Sequence, residues 1–356
     1  MAPAHRILLT GANGYIATHI LKQLLSSPAQ HSVRAVVRSL AKVDDVKVVF
    51  PDVDNKRLDF AIVPDMTVKG AFDDALESDP PFDIVMHTAS PFLYKAAGSA
   101  KDFLEPAVKG TTEVLEGIQR ITPATVTRVI LTSSFAAIGA FGQVDESNKI
   151  YNEDDWNPVT LEVAEKSDDN KNLAYLASKK FAEQAAWEVQ KRESVNWDLV
   201  SLNPPMVYGP LAHKPKSLSD LNESTARLWN LFLKEKNPEG ALPPNGVHLY
   251  VDVRDIARAH VLAMDAPSAG NQRFITTADP VDSQKIADIM RAEVPGAAER
   301  VPKGEPGTNT LPADAYGADA SKAERILGLK WRPVEETFAN SARQLLEFEK
   351  GNFIAY

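Results

Sequence analysis

Thr10-Gly11-Ala12-Asn13-Gly14-Tyr15-Ile16-Ala17 follows the apolar run Ile7-Leu8-Leu9 and opens a helical pattern over Tyr15–Leu25. A strand that feeds a helix through so short a turn must bend tightly, and the small residues Gly11, Gly14 and Ala17 permit it. The turn also lies at the helix N-terminus, where free amides and the positive end of the helix dipole favour a phosphate. The spacing departs from the usual G-x-G-x-x-G fingerprint, and short glycine motifs also mark ordinary turns. Its place after the first strand of a strand–helix series is what favours a dinucleotide, cradled by Gly11, Asn13, Gly14, Tyr15 and Ile16.

Outward from this loop, short β-rich runs alternate with helical patterns through the first 200 residues. The strands expected are Arg6–Thr10, Val33–Arg38, Leu58–Val63, Asp83–Ala89, Arg128–Ser134 and Asp198–Asn203. Helical stretches include Phe103–Arg120 and Leu173–Arg192. Nearly continuous apolar runs suit strands buried on both faces. The alternation predicts an α/β fold, a doubly wound (Rossmann) parallel sheet. After Asn203 the texture changes, with Pro204-Pro205, Gly209-Pro210 and Pro243-Pro244-Asn245-Gly246 as breaks. An amphipathic stretch near Leu218–Leu233, a strand at Val247–Val251, a helix at Asp255–Met264 and a strand at Gln272–Thr276 are expected. Residues 1–202 and 247–264 are assigned to the Rossmann domain. Residues 203–246 and 265–356 are assigned to a smaller, discontinuous substrate lobe. Glu162–Lys171 is polar and reads as a mobile surface loop.

At 356 residues the chain can bury a full core, and 44% apolar with 24% charged residues is ordinary for a globular protein. The balance of 39 basic and 48 acidic residues, net −9, disfavours a nucleic-acid partner, yet allows a local basic pocket for one phosphate. No cysteine is present, so disulfides, thiolate catalysis and cysteine metal sites are excluded. No stretch approaches a membrane span and the first apolar run is too short for a signal peptide, so a cytoplasmic protein is expected. His87 has no other ligand at metal spacing and reads as a packing or cofactor-lining residue; no metal site is expected.

The second strand discriminates between dinucleotides. A carboxylate about 20 residues past the glycines would bind the ribose hydroxyls of NAD. Here the strand ends at Arg38, Lys42 follows, and no carboxylate occurs before Asp44. A guanidinium and an ammonium suit the 2′-phosphate of NADP(H); as plain surface charges they would carry no such meaning. Asp65, followed by Met66, could accept a hydrogen bond from the adenine amino group or could cap the next helix.

Tyr175 and Lys179 are four residues apart in a helical pattern and share a face. A phenol with a pKa near 10 works as an acid or base at neutral pH only when shifted. A nearby cation favours the phenolate, and Lys179 supplies one while reaching toward a nicotinamide ribose. Ser134, at the carboxyl end of the fifth strand, could polarise the carbonyl oxygen that Tyr175 protonates. Ser133 competes with it, although neighbouring strand residues point to opposite faces. Tyr-x-x-x-Lys alone is common on amphipathic helices. The chain order of phosphate loop, strand-end serine and helix-borne Tyr and Lys is what points to a nicotinamide-dependent carbonyl reductase.

The chain resembles the extended short-chain dehydrogenase/reductase superfamily, and within it the dihydroflavonol reductase and cinnamoyl-CoA reductase group. The resemblance rests on Thr10–Ala17, His87-Thr88-Ala89-Ser90-Pro91, Leu131-Thr132-Ser133-Ser134, Ser178-Lys179-Lys180-Phe181-Ala182-Glu183, Asn203-Pro204 with Gly209-Pro210, and Tyr250-Val251-Asp252-Val253-Arg254-Asp255. It implies that Ser134 joins Tyr175 and Lys179, that Arg38 and Lys42 contact the 2′-phosphate, and that Asp65 with Met66 flanks the adenine. It also implies that Thr88, Ala89, Ser90 and Pro204 line the cofactor, and that Phe92, Phe135, Gly139 and Met206 line the substrate pocket. Lys109 stands where relatives often carry Asn. Gly139 and pliable Met206 suggest a roomy pocket, unless neighbouring side chains fill the space. The expected activity is NADPH-dependent reduction of aldehydes, ketones or keto esters by a monomer or homodimer. The alternatives are an NAD-retaining nucleotide-sugar epimerase or dehydratase, and a non-catalytic dinucleotide-binding protein.

Overall fold

The computed structural model describes residues 3–90, 101–166 and 170–356. Its strands are β1 (Arg6–Thr10), β2 (Ser32–Val37), β3 (Leu58–Ile62), β4 (Ile84–His87), β5 (Arg128–Thr132), β6 (Ile150–Tyr151), β7 (Asp198–Asn203), β8 (Met206–Tyr208), β9 (Tyr250–Asp252), β10 (Gln272–Ile275) and β11 (Gly317–Ala318). The helices are α1 (Tyr15–Ser26), α2 (Leu40–Val49), α3 (Asp73–Leu76), α4 (Lys101–Ile121), α5 (Leu161–Glu165), α6 (Lys171–Gln190), α7 (Glu223–Leu228), α8 (Val253–Asp265), α9 (Ser283–Glu293), α10 (Ser321–Leu327) and α11 (Val334–Glu349).

Seven parallel strands form the main sheet in the order β10-β7-β5-β4-β1-β2-β3. The order reverses between β1 and β4, and in such sheets the crevice at the carboxyl ends of these strands is where ligands bind. One face packs against α1 and α8 through Ile20, Leu24, Ile256 and Ala259. The other packs against α4 and α6 around Phe72, Val114, Ile118, Ala186 and Trp197. Each large apolar side chain so buried contributes roughly 1.5–3 kcal/mol. A separate core of Tyr208, Trp229, Phe232, Tyr250, Met290, Phe338 and Leu345 holds the smaller lobe. Among the described residues no helix is long and apolar enough to cross a membrane.

Two elements depart from the expected partition. Gln272–Ile275 belongs to the main sheet, where β10 pairs with β7 from Gln272 opposite Val200 to Ile275 opposite Asn203, so the Rossmann sheet includes residues assigned to the lobe. Conversely β9 lies outside that sheet and pairs with β8 in a two-stranded parallel unit at the lobe's edge. Within the polar stretch read as a loop, Leu161–Glu165 is helical, with Thr160 Oγ1 accepting from Val163 N.

Polar pins hold the amino ends of the strands. Arg128 on β5 binds Asp198 on β7 through Nε and Nη2 (2.7 and 2.8 Å), and its Nη1 donates to the carbonyls of Ala263, Met264 and Ala266 at the end of α8. His5 Nδ1 pairs with Asp83, and its Nε2 lies 2.9 Å from Asp265. The hydrogen bond to Asp83, assisted by Asp265 and opposed by burial, pushes His5 up from 6.5 to about 9. Because the native pKa is the higher one, this stabilisation is complete below about pH 6.5 and is lost as pH rises through about 9. Thermal melts of wild type and His5→Gln should therefore differ most at mildly acidic pH and converge under alkaline conditions. A gap that stays constant across that window would show that the pair does not titrate in this way.

Candidate active site

At the carboxyl end of β1, Gly11 has φ +66°, a backbone conformation that glycine tolerates. A Cβ there would stand 2.9 Å from Ala89 Cα and 3.2 Å from Thr88 Oγ1, so the loops after β1 and β4 meet backbone to backbone. Thr88 Oγ1 donates to Thr10 O (2.6 Å), Ala89 N donates to Thr10 Oγ1 (3.2 Å), and that hydroxyl lies 2.8 Å from His87 Nδ1. His87 is buried, and burial, with the Lys179 charge beside it, lowers it to about 3, so its imidazole is neutral. Gly14 is the N-cap of α1 and supplies no side-chain acceptor, whereas α6, α8 and α9 are capped by Asn170, Asp252 and Asp282. The first-turn amides of α1 at Tyr15 and Ile16, beside the half-buried Asn13, thus suit a pyrophosphate. Tyr15 offers only its backbone, because its phenol donates to Gly209 O (2.6 Å) and ties α1 to the lobe.

Arg38 is exposed just past β2. Lys42, one turn into α2, is held by Asp45 at 2.7 Å, so half of the expected cationic pair is locally neutralised. Asp65 Oδ1 accepts from both Thr67 N (2.9 Å) and Thr67 Oγ1 (2.7 Å), which fixes a turn; it caps no helix, since α3 begins only at Asp73. Those two bonds hold its carboxyl below the usual range. Met66 lays its side chain over Gly110 of α4. Lys109 pairs with Glu105 on the exposed face of α4.

The two serines after β5 separate as their alternation requires. Ser133 is turned inward and donates to Glu183 Oε2 (2.5 Å). Ser134 is half-buried and caps the 3-10 turn Phe135–Ala137, its Oγ accepting from Ala136 N (3.0 Å). That turn packs along α6, with Ala136 against Leu173, Ala174 and Ala177 and with Tyr175 beside them. Asn157, buried, donates to Ala136 O (2.6 Å) and Leu176 O (3.0 Å) and so ties the Ser134 turn to the helix that carries Tyr175. Lys179 Nζ lies 5.7 Å from the centre of the Tyr175 ring and donates to Ser90 Oγ (3.0 Å). Burial pushes Lys179 down to about 8. The turn opened by Ser134 therefore packs against the helix that carries Tyr175 and Lys179 at the sheet's carboxyl edge, and Lys179 reaches the Thr88–Ser90 segment. Pro204 is buried, and its carbonyl accepts from Phe135 N (2.8 Å).

The expected substrate wall is only partly brought to this crevice. Phe92 lies outside the described residues. Phe135 is fully buried, packed edge-on against Phe141 and Tyr151, and does not face the crevice. Gly139 opens no room either: a Cβ there would stand 2.7 Å from Phe135 Cε1 and 3.1 Å from Phe141 Cε2. Neighbouring rings fill the space, which corrects the reading of a pocket widened at Gly139. Met206 is half-buried and packs on the lobe core. Asn157, Asn203 and Glu183 join the site although no role for them was read from the sequence. Their partners come from segments far apart in the chain, and the sequence carries no spacing signal for that.

A match to the NAD dependent epimerase/dehydratase family extends over residues 7–276. The chain belongs to that family. It is 35% identical to a putative NADPH-dependent methylglyoxal reductase of Candida albicans, over 97% of this chain and 100% of the relative. It is 36% identical to a ketoreductase of Aspergillus niger, over 97% of this chain and 98% of the relative. Among solved structures it superposes on yeast methylglyoxal/isovaleraldehyde reductase complexed with NADPH with a TM-score of 0.83, at 34% identity, over 97% of this chain and 99% of the other.

If Phe135 and Phe141 close the space at Gly139, Gly139→Ala must displace a ring or the turn that carries Ser134. Overpacking of this kind costs about 1–3 kcal/mol. Urea denaturation should show a loss in that range; an unchanged midpoint would mean that the space is open after all.

Proposed function

We propose that this protein reduces aldehydes, ketones or keto esters to alcohols with NADPH. The observation that carries the reading is the packing of the Ser134 turn on the helix that bears Tyr175 and Lys179, with Lys179 bonded to Ser90 and α1 starting without a side-chain cap at the switch point of the sheet. The exposed guanidinium of Arg38 supports a 2′-phosphate and hence NADPH over NADH. The names of the fungal relatives, methylglyoxal reductase and ketoreductase, support the same reaction class. The enzyme would act in the cytoplasm as a monomer or homodimer on a small-molecule substrate.

Gly11, Asn13, Gly14 and the amides of Tyr15 and Ile16 would hold the pyrophosphate, Arg38 the 2′-phosphate, and Thr88, Ala89, Ser90 and Lys179 the nicotinamide side. Bound NADPH would supply hydride to the carbonyl carbon. Ser134 would donate a hydrogen bond to the carbonyl oxygen, and Tyr175 would hold its phenolic proton against that oxygen and release it as negative charge develops. The Lys179 ammonium, close to the Tyr175 ring, stabilises the phenolate left behind.

Absorbance at the nicotinamide band, followed with NADPH and NADH against a panel from methylglyoxal and isovaleraldehyde to β-keto esters and aryl ketones, tests the reading. NADPH should turn over much faster than NADH, and Arg38→Ala should narrow that gap. Tyr175→Phe should bind NADPH normally and lose nearly all turnover; a Tyr175→Phe enzyme with most of its turnover would refute the proton-donor role. Silence with every carbonyl, together with NAD that copurifies, would shift the reading to an epimerase or dehydratase.

The Lys179 value sets a second test. Above about pH 8 the ammonium loses its proton, and the support it gives Tyr175 goes with it. The kcat for reduction should fall as pH rises through about 8, and Lys179→Arg, which keeps its charge, should move that limb upward. An unchanged limb in Lys179→Arg would assign it to another group.

A further inference from the structure

Glu183 is the most deeply buried carboxylate near the site, and the mechanism above does not use it. It lies on α6 one turn beyond Lys179 and two turns beyond Tyr175. Its side chain has no exposure, and each oxygen accepts two hydrogen bonds. Oε2 accepts from Ser133 Oγ (2.5 Å) and Asn203 Nδ2 (2.7 Å); Oε1 accepts from Arg273 Nε (2.6 Å) and Trp187 Nε1 (3.2 Å). The donors come from β5's end, β7, β10 and α6 itself. Asn203 Nδ2 also donates to Ser134 O (3.1 Å), and Asn203 Oδ1 accepts from Ser201 Oγ (3.1 Å). Arg273 is fixed in turn: its Nη1 donates to Glu153 O (2.5 Å) and Asp155 O (2.8 Å), and its guanidinium stacks 3.8 Å from the centre of the Trp156 ring.

A charge so deeply buried is tolerated only when paired and fully hydrogen-bonded, and then it fixes the relative placement of its partners. With both oxygens filled, Glu183 has no capacity to exchange a proton with substrate. What it joins is the helix bearing Tyr175 and Lys179 to the backbone of Ser134, once through the adjacent Ser133 and once through Asn203. We propose that Glu183 is a positioning residue that sets the Ser134 turn in register with α6. This rests on the reading of Ser134, Tyr175 and Lys179 as the reacting groups.

The geometry makes Glu183→Gln diagnostic. Ser133 can turn its hydroxyl to accept from an amide, but Asn203 Nδ2, Arg273 Nε and Trp187 Nε1 are all donors. If the Gln oxygen stays with Arg273 and Trp187, its NH2 meets the Asn203 NH2 and frees the group that holds Ser134 O. Misplacement on this scale can lower rate on the order of 100-fold. The expected result is a kcat loss of that size in Glu183→Gln, with the NADPH dissociation constant by fluorescence titration within about twofold of wild type. Combining Glu183→Gln with Asn203→Ala should lower kcat no further than the worse single change, because both act through one bond to Ser134.

Ser133→Ala, which removes one donor and almost no volume, serves if Glu183→Gln fails to fold; it should stay folded with a lowered melting temperature and lose kcat about tenfold. Ser134→Ala, run in parallel, separates the two readings. Near-normal turnover in Ser134→Ala would overturn the assignment of the trio, and the positioning role with it. An inactive Ser134→Ala beside a near-normal kcat in Glu183→Gln, or in Ser133→Ala where that is the variant that folds, would overturn the positioning role alone. Additive losses in the double variant, or a loss expressed mainly as weaker NADPH binding, would also overturn it.

Discussion

The close approach of Gly11 to Ala89, where a single added carbon would stand 2.9 Å from backbone, sets the rest of the site. Because no side chain separates the loops after β1 and β4, the uncapped start of α1 and the Thr88–Ser90 segment share one crevice. The opposite edge of the sheet is closed by ion pairs and carbonyl bonds, with His5 between Asp83 and Asp265, and Arg128 between Asp198 and the end of α8. One end is thus locked by charge while the other presents a helix start without a side-chain cap. A doubly wound sheet needs that asymmetry if its carboxyl edge is to receive an anionic ligand.

Helix α6 then does two jobs with one periodicity. Residues 175, 179 and 183 recur at four-residue spacing along it. The first two meet at the crevice, where the Lys179 ammonium stands 5.7 Å from the Tyr175 ring. The third is sunk into a network that reaches three strands of the sheet. Asn157 gives a second link, since its amide bridges the Ser134 turn and the carbonyl of Leu176. A hydroxyl on a loop and a phenol on a helix would otherwise drift relative to one another. Two buried polar links remove that freedom at a desolvation cost that the bonds made by Asn157 and by both Glu183 oxygens offset.

How far this was legible from sequence follows from the range of each interaction. Strands β1 to β5 and β7, the loop at Gly11–Ala17 and the shared helix of 175 and 179 are read from local patterns, and the fold realises them. Asp65 beside Thr67 and Lys42 beside Asp45 are local too, but two chemistries compete for each group. The structure shows the turn at Asp65 and an ion pair at Lys42. The placement of β10 was not legible, because a four-residue edge strand joins β7 only through pairing across some 70 residues of intervening chain. The Glu183 network was invisible for the same reason: Ser133, Asn203 and Arg273 are scattered along the chain, and only the folded sheet assembles them.

The aromatic packing beyond Ser134 extends well past Gly139. Phe135 meets Phe141 and Tyr151, both of which meet Tyr316, and His248 donates from Nε2 to Tyr316 O (2.7 Å) while its ring lies 4.4 Å from that of Tyr316. Tyr151 OH donates to Glu146 (2.6 Å) and accepts from Ala140 N (3.1 Å), which fixes the cluster from the Rossmann side. The stack therefore runs without a gap from the turn that Ser134 opens to the lobe residues 248 and 316. Close-packed interiors transmit small displacements, so a change of volume at Tyr316 reaches the Ser134 hydroxyl through contact alone. Volume at Tyr316 and the placement of the Ser134 turn are therefore linked by packing through one continuous set of rings.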